Sequence, residues 1–418
     1  MTEWQKVKLG DICDVRDGTH DSPKQSLEGK FLVTSKHIKG GKIDLSSAYK
    51  ISLEDFNFVN QRSKVEQWDI LISMIGTVGE ICLICTPPDF AIKNVGLIKA
   101  GNKDLAQYLF YYLKSPISQN DIETRLKGTT QQYLSLSEIR DFPVFLPLLE
   151  IQRKIAGILG ALDDRIDVLR RENVVLEQMA QAVFQSWFVD FDIVRAKAAG
   201  TPESEVCEKY HITPELYALF PSALTPDNLP LGWEKKSLPE IATYLNGLPL
   251  QKFPPKNEDE FLPVIKIAEL KARSVVGADK ASTDIDSKYI IDDGDVIFSW
   301  SGSLAVDIWC CGKGALNQHL FKVFSSDYPK WFYYLWTKSY LFQFQQIAAG
   351  KATTMGHIQR AHLEEAKANV PSEKILEVTD KIISPLIEKI IENSKQIRAL
   401  SATRDALLPK LMNGEIEV

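Results

Sequence analysis

The sequence predicts an α+β chain built as a tandem repeat. Two similar mixed α/β domains are joined by two long antiparallel coiled-coil helices, and the halves are related by a pseudo-twofold repeat. Three observations carry this. A heptad pattern of apolar residues runs from Glu150 to Phe188, a second runs from Ser372 to Leu411, and the segments between them align at a nearly constant offset. The implied organisation is a first domain at 1–149, a helix at 150–192, a linker at 193–232, a second domain at 233–370 and a helix at 371–418.

The first helix has large apolar residues at alternating steps of three and four. Ile155, Leu162, Leu169, Leu176 and Val183 take position d, while Leu159, Ile166, Asn173, Ala180 and Trp187 take position a. Such a narrow seam requires a partner helix to bury it. At 1.5 Å per residue the rod is about 57 Å long, the length of a spacer. The partner is the second heptad, with Leu376, Ile383, Ile390, Ile397, Arg404 and Leu411 at a, and Leu386, Asn393, Leu400 and Leu407 at d. Ser384-Pro385 interrupts it and should kink or restart the helix, because proline lacks the N–H of the helical ladder.

Between the helices the halves run in parallel. DVIFSWSGS (295–303) lies over DILISMIGT (69–77), NQHLFKV (317–323) over NVGLIKA (94–100), and WFYYLW (331–336) over LFYYLK (109–114). The linker is rich in Pro, Ala and acidic residues. The frame repeats, and the loops on it differ almost completely.

Of 418 residues, 44% are apolar and 25% charged, enough for two or three cores. No apolar run suits a membrane span and the amino-terminal residues are too polar for a signal peptide, so a cytoplasmic location is expected. The net charge is −6. Each globular half is neutral, with 18 basic and 18 acidic residues in 1–149 and 16 of each in 233–370; the helices and linker hold the deficit. Arg16 to Lys42 carries six basic and three acidic residues, a local basic patch.

Catalytic signatures are missing. There is no phosphate loop, TPPDF (86–90) has the wrong residues for an amino-methyltransferase loop, and the six His show no triad spacing. Cys82-x-x-Cys85 and Cys310-Cys311 lack the second ligand pair of a zinc site, so no metal is expected. What remains are polar, basic, Gly-containing loops. In the first half they offer Lys24, Lys36, His37, Lys39, Lys127, Thr129, Thr130 and Gln131; in the second, Lys266, Ser301, Lys351, Thr353, Thr354 and His357. Amides, hydroxyls, His and Lys are the groups that meet base edges and phosphates, and solvated turns use the same residues.

The chain resembles the DNA-specificity subunit of type I restriction-modification enzymes over nearly its whole length. The likeness is strongest in PLLEIQRKIAGILGALDDRIDVLRREN (147–173) following GTTQQYLSLSEIRDFPVFLP, in LLPKLMNGEIEV (407–418), and in the opening W-x-x-V-x-L-G-D (4–11). It implies two target-recognition domains, each reading one part of a split site on double-stranded DNA. It implies helices that set the gap and dock two methyltransferase subunits, with motor-nuclease restriction subunits as further partners. S-adenosylmethionine, ATP and Mg then serve those partners, with no cofactor and no catalysis on this chain. A protein-binding coiled-coil scaffold, or a self-contained metal-dependent nuclease, are the alternative readings of the residues.

Antiparallel pairing places the domains at opposite ends of the rod, where both can touch one face of a duplex about 34–36 Å apart. It also sets Asn173 opposite Asn393, each satisfying the other's amide. Leu176 then falls near Ile390, and Arg404 falls beside Leu162, a weak point unless its guanidinium escapes toward Asp163 or solvent; Leu169, Ile397 and Leu400 complete the register.

Overall fold

The computed structural model describes residues 4–350 and 356–418. It comprises two compact units: unit 1 is Met1–Arg165 with Leu400–Val418, and unit 2 is Ile166–Ala399.

Unit 1 contains strands β1 (Gln5–Lys8), β2 (Asp14–Asp17), β3 (Lys30–Val33), β4 (Lys50–Ile51), β5 (Asp69–Ser73), β6 (Ile81–Leu83), β7 (Phe90–Ile92), β8 (Val95–Lys99) and β9 (Pro143–Leu146). Its main sheet has the order β2-β8-β5-β6, a second sheet has the order β4-β3-β7, and β1 pairs with β9. The apolar run DILIS forms β5, in which every residue is buried, as expected of an inner strand covered on both faces. AIKNVGLIKA, which reads as one strand-like run, is two strands in different sheets. Asn94 separates them in the left-handed region at φ 52°, a conformation Asn tolerates better than most residues.

Helix α1 (Leu53–Ser63) starts where the Asp55 N–H donates to Ser52 Oγ at 3.0 Å, and α2 (Lys103–Lys114) where the Leu105 N–H donates to Asn102 Oδ1 at 3.0 Å. The core of the unit joins Leu9, Ile70, Ile98 and Tyr108 to residues of both long helices, α3 (Leu149–Phe184) and the helix that closes the chain, through Ile155, Leu159, Leu408 and Leu411. Arg404 stands at an apolar heptad position, and its Nη1 donates to Asp163 Oδ1 at 2.6 Å. The Tyr111 hydroxyl donates to the other oxygen of that carboxylate at 2.9 Å. The guanidinium thus leaves the seam sideways while its methylenes stay in it.

In unit 2, α3 ends in a π-helical turn at Gln185–Val189. The linker of the sequence reading is folded: α4 (Asp192–Ala198), α5 (Glu203–Tyr210) and α6 (Pro214–Leu219) bury Ile193, Val194, Val206 and Leu216 in the core of unit 2. Its polar composition belongs to the outer faces of short amphipathic helices. Strands β10 (Glu234–Ser237), β11 (Thr243–Asn246), β12 (Leu262–Ile265), β13 (Lys280–Ala281), β14 (Ile290–Ile291), β15 (Val296–Ser299), β16 (Ala305–Ile308), β17 (Gly314–Leu316), β18 (Leu320–Phe324) and β19 (Lys367–Val370) follow. The main sheet has the order β11-β18-β15-β16, the second β13-β12-β17-β14, and β10 pairs with β19, so the scheme of unit 1 recurs.

Helix α7 (Lys330–Ser339) packs on this sheet, and α8 (Glu373–Met412) is the second long helix. The Asn369 Nδ2 donates to the Phe188 carbonyl at 2.9 Å and the Asn393 Nδ2 donates to Asn173 Oδ1 at 3.0 Å, so within unit 2 the two helical segments run antiparallel. The amide exchange is one-sided. Asn173 Nδ2 turns to Ser394 Oγ at 3.1 Å and the Ile390 carbonyl at 3.4 Å, and Asn393 Oδ1 is buried without a partner among the described residues, where reciprocal pairing was expected. Leu169 is buried; Leu162, Leu176, Ile390, Ile397 and Leu400 are half-buried.

α8 runs through Pro385 without the restart that the sequence allowed. The carbonyl that the proline leaves unpaired, four residues back on Lys381, lies on an exposed turn open to water, while Ile383 and Ile387 are buried on the opposite side.

Candidate nucleic-acid interface

In each unit one end of the main sheet gathers the polar loops. In unit 1, Asp17 pairs with Gly96, and Val95 with Ser73, so β2 and β5 end and β8 begins at the same edge. In unit 2, Asn246 pairs with Phe321 and Ser299 with Leu320, the same arrangement. The equivalence is close enough to be read bond by bond. The Gly18 N–H donates to the Val95 carbonyl at 2.9 Å, and the Gly247 N–H to the Leu320 carbonyl at 3.0 Å; Asn94 N–H meets Thr19 O at 3.1 Å, and Gln318 N–H meets Leu248 O at 2.9 Å.

Glycine is required at both turns. A Cβ on Gly18 would lie 2.5 Å from the Ile92 carbonyl oxygen, and one on Gly247 2.3 Å from that of Asn317. Asp17 and Asn246 therefore occupy one position on a shared frame, as do Met74 and Trp300, which follow the last residues of β5 and β15.

The frame carries different chemistry in the two units. Asp17 is 5% exposed, yet it is flanked by groups that face solvent. One carboxylate oxygen accepts from Arg62 Nη2 and the other meets His20 Nε2 at 2.9 Å, while His20 Nδ1 lies 2.8 Å from Asn94 Oδ1. In unit 2 the Asn246 Oδ1 accepts from Trp300 Nε1 at 3.0 Å, and the Trp300 ring lies beside His319, Phe321 and His357 at centroid distances of 5.9, 5.8 and 6.3 Å. The first unit offers a supported guanidinium and imidazole; the second offers an indole shelf with histidines around it.

A second loop reaches each edge. In unit 1, Lys127 and Tyr133 exchange backbone hydrogen bonds at 2.9 Å each, and the Leu134 N–H donates to Met74 O at 2.8 Å. This closes a tight loop that leaves Thr129, Thr130 and Gln131 exposed, with Gly128 at φ 91°. Lys127 Nζ contacts Glu138 Oε1 at 3.0 Å, and this ammonium holds the Glu138 carboxyl below its usual range. In unit 2 the Ile358 N–H donates to Trp300 O at 3.0 Å, which brings His357 to the same place. Lys351, Thr353 and Thr354 lie outside the described residues.

Lys24, Lys36 and Lys39 are exposed on the loops around this edge of unit 1. Two expected contact residues are internal instead. His37 is 1% exposed and caps the turn at Ser35–His37, its Nδ1 accepting from the Thr34 N–H at 2.9 Å. Burial, then Lys36, lowers its pKa, so the neutral ring is favoured. Glu269 does the same work in unit 2, accepting from the Lys266 N–H at 3.0 Å, and the Lys266 ammonium is held by Asp279. Ser301 is 3% exposed, and its hydroxyl lies 3.0 Å from His319 Nδ1, so it supports a ring rather than meeting a ligand.

Asp17, His20 and Trp300 lie on the polar, Gly-containing loops that the sequence marks (16–24 and 299–303), whereas Arg62, Asn246 and His319 lie outside them and were missed. Among the described residues no group of three or more His, Cys, Asp or Glu could hold a metal ion. Burial pushes the Cys82 thiol up to about 12 and that of Cys310 up to about 11, so both are protonated, unreactive thiols at neutral pH.

The repeated frame has known counterparts. The type I restriction modification DNA specificity domain family matches residues 1–178 and 230–400. The MjaIX type I restriction enzyme specificity subunit of Methanocaldococcus jannaschii is 25% identical over 441 residues, spanning 100% of this chain and 94% of the relative. The HindI specificity subunit of Haemophilus influenzae is 28% identical over 341 residues, 69% of this chain and 72% of the relative. The crystal structure of a type I restriction-modification system S subunit from M. genitalium superposes with a TM-score of 0.56 at 15% identity, covering 98% of this chain and 96% of that one, which shows a shared fold. With both halves matched, and with one frame built twice, the chain belongs to the type I restriction modification DNA specificity domain family.

Proposed function

We propose that this chain is the DNA-recognition subunit of a type I restriction-modification assembly, reading a bipartite site with one half per unit. The observation that carries this is the strand-end edge present in both units, identical in backbone bonding and different in the side chains it displays. Reading heads that vary on a fixed frame are what a split recognition sequence requires. Lys24, Lys36, Lys39, Lys127, Thr129, Thr130 and Gln131 serve the first half-site, and Lys266 and His357 the second, with phosphate contacts from the exposed Lys24, Lys36 and Lys39.

The long helices take the partner subunits. Val168, Val175 and Met179 leave an apolar stripe exposed on α3, with Val174 exposed beside it, which suits docking of two methyltransferase subunits. Methylation with S-adenosylmethionine, and ATP- and Mg-dependent translocation and cleavage, belong to the methyltransferase and motor-nuclease partners, in the cytoplasm. Among the described residues no helix is long and apolar enough to cross a membrane.

The test is an exchange of residues 233–370 for the matching segment of a relative, followed by mapping of methylated adenines. One half of the recognised sequence should change. A change in both halves would refute the division of labour.

A further inference from the structure

We infer that Arg62, braced by Asp17, is a guanine-reading residue of the half-site recognised by unit 1; the inference rests on the DNA-recognition reading above. Arg62 sits in the last turn of α1, a helix between β4 and β5. The corresponding stretch of unit 2, between β13 and β15, has no α-helix, only a 3-10 turn at Ser287–Tyr289. An element peculiar to unit 1 thus delivers a guanidinium to the strand-end edge that both units share.

The way it is held narrows what it can bind. The Arg62 side chain is 65% exposed, whereas the Asp17 carboxylate it contacts is 8% exposed. Only Nη2 has a partner among the described residues. An open edge of the planar fork therefore keeps two parallel N–H donors. The Arg62 backbone is itself fixed, because its carbonyl accepts from Arg16 Nη1 at 3.0 Å. A pre-oriented fork with two parallel donors matches the O6 and N7 acceptors of guanine in the major groove, which is the commonest specific arginine contact. It matches no other base equally, since adenine replaces one acceptor with a donor.

A phosphate would also accept from the fork, but the surroundings oppose it. Asp17 brings a negative charge into direct contact with the guanidinium, and Asp21 stands on the same loop, where Thr19 Oγ1 lies 3.4 Å from its carboxylate. Carboxylates close behind a phosphate-binding group repel the phosphate, while a neutral base edge feels no such penalty. Lys24 and Lys36 are better placed in chemistry for the backbone, as exposed point charges.

The experiment uses the full chain assembled with its methyltransferase subunits and a pool of duplex DNA randomised over both half-sites, with methylated adenine as readout. Wild-type, Arg62→Ala, Arg62→Lys and Asp17→Asn assemblies are compared. Arg62→Ala should relax a single guanine position in one half-site, with discrimination falling about tenfold to a hundredfold, the range expected for one bidentate base contact. Arg62→Lys should relax the same position while keeping overall affinity, because the charge survives and the fork does not. Asp17→Asn should relax it in part. An unchanged second half-site in each variant is the internal proof of folding.

If Arg62→Lys keeps the wild-type consensus, or if Arg62→Ala weakens every sequence alike and lowers the salt slope by about one, the residue is a phosphate contact and the inference fails. If the wild-type assembly itself enriches no sequence, the DNA-recognition reading falls first.

Discussion

The two units differ most where they are most alike in backbone. Asp17 and Asn246 end equivalent strands, precede equivalent glycines and point at the same edge, yet one braces a guanidinium and an imidazole and the other an indole. The lesson is that the frame and the display are separable. Gly18 and Gly247 are tied to backbone geometry, so they cannot vary without moving the strands. The residues on either side are tied only to one another. A network anchored on one carboxylate can be replaced by a network anchored on one amide without disturbing a single bond of the frame.

The largest expected effect tests that separation. Gly18→Ala and Gly247→Ala should each cost about 1–3 kcal/mol, the usual range for overpacking against groups that cannot give way. Hydrogen exchange resolved by segment should show the loss in the mutated unit. Equal stability of either variant and wild type would mean that the frame is softer than its bonding implies.

The long helices offer a second contrast. Unit 1 relieves its polar heptad position by sending Arg404 out to Asp163, whereas unit 2 keeps Asn173 and Asn393 inside the seam with one carbonyl unpaired. An unsatisfied buried acceptor costs about 1–3 kcal/mol, which offsets the roughly 1 kcal/mol net contribution of each of the Asn393–Asn173 and Asn173–Ser394 bonds, and two Leu side chains add buried apolar surface. Replacing both Asn173 and Asn393 by Leu should therefore raise stability by about 1 kcal/mol, read as a higher urea midpoint at unchanged m-value. A lower midpoint would show that the amides contribute more than they cost. The wild-type pair fixes register at the expense of stability.

The smallest effect separates two forms of one cap. His37 and Glu269 hold equivalent turns, and only the first is a group that titrates near neutrality. Burial depresses the His37 pKa in the folded state below its ordinary 6.5. Above that ordinary value neither state carries the proton and the cap is at full strength. As pH falls below it the unfolded chain takes up a proton that the folded chain resists, so stability drops until the depressed native value is reached. Unit 1 should thus be less stable at pH 5.5 than at pH 7.5 by an amount that His37→Gln removes. A pH response that survives the substitution would assign it elsewhere.

Much of this was legible in the chain. Heptad spacing is a property of adjacent turns, so both long helices and the layer holding Asn173 and Asn393 can be read from periodicity and antiparallel pairing. Pro385 could not be, because whether a missing hydrogen bond breaks a helix depends on which side of it faces water. His37 and Ser301 have the residue types of a binding loop, but burial is decided by strands that pack over them. Arg62 was invisible for a different reason: its partner Asp17 lies 45 positions away with no pattern connecting them. The available signal was a helix present in one half of the repeat and absent from the other, which marks where the copies have diverged in use.

Unit 1 is made from two segments separated in sequence by all of unit 2. Leu408, Leu411 and Met412 fill its core beside Leu9 and Ile155, and Gly414 lies against the Trp4 ring. Ribosomal synthesis delivers these last residues only after all of unit 2 has been made. Unit 1 is thus the later of the two to be finished, waiting with an open core while unit 2 folds. A lesion late in the coding sequence would strike unit 1 and leave unit 2 whole, the reverse of what linear order along the gene suggests.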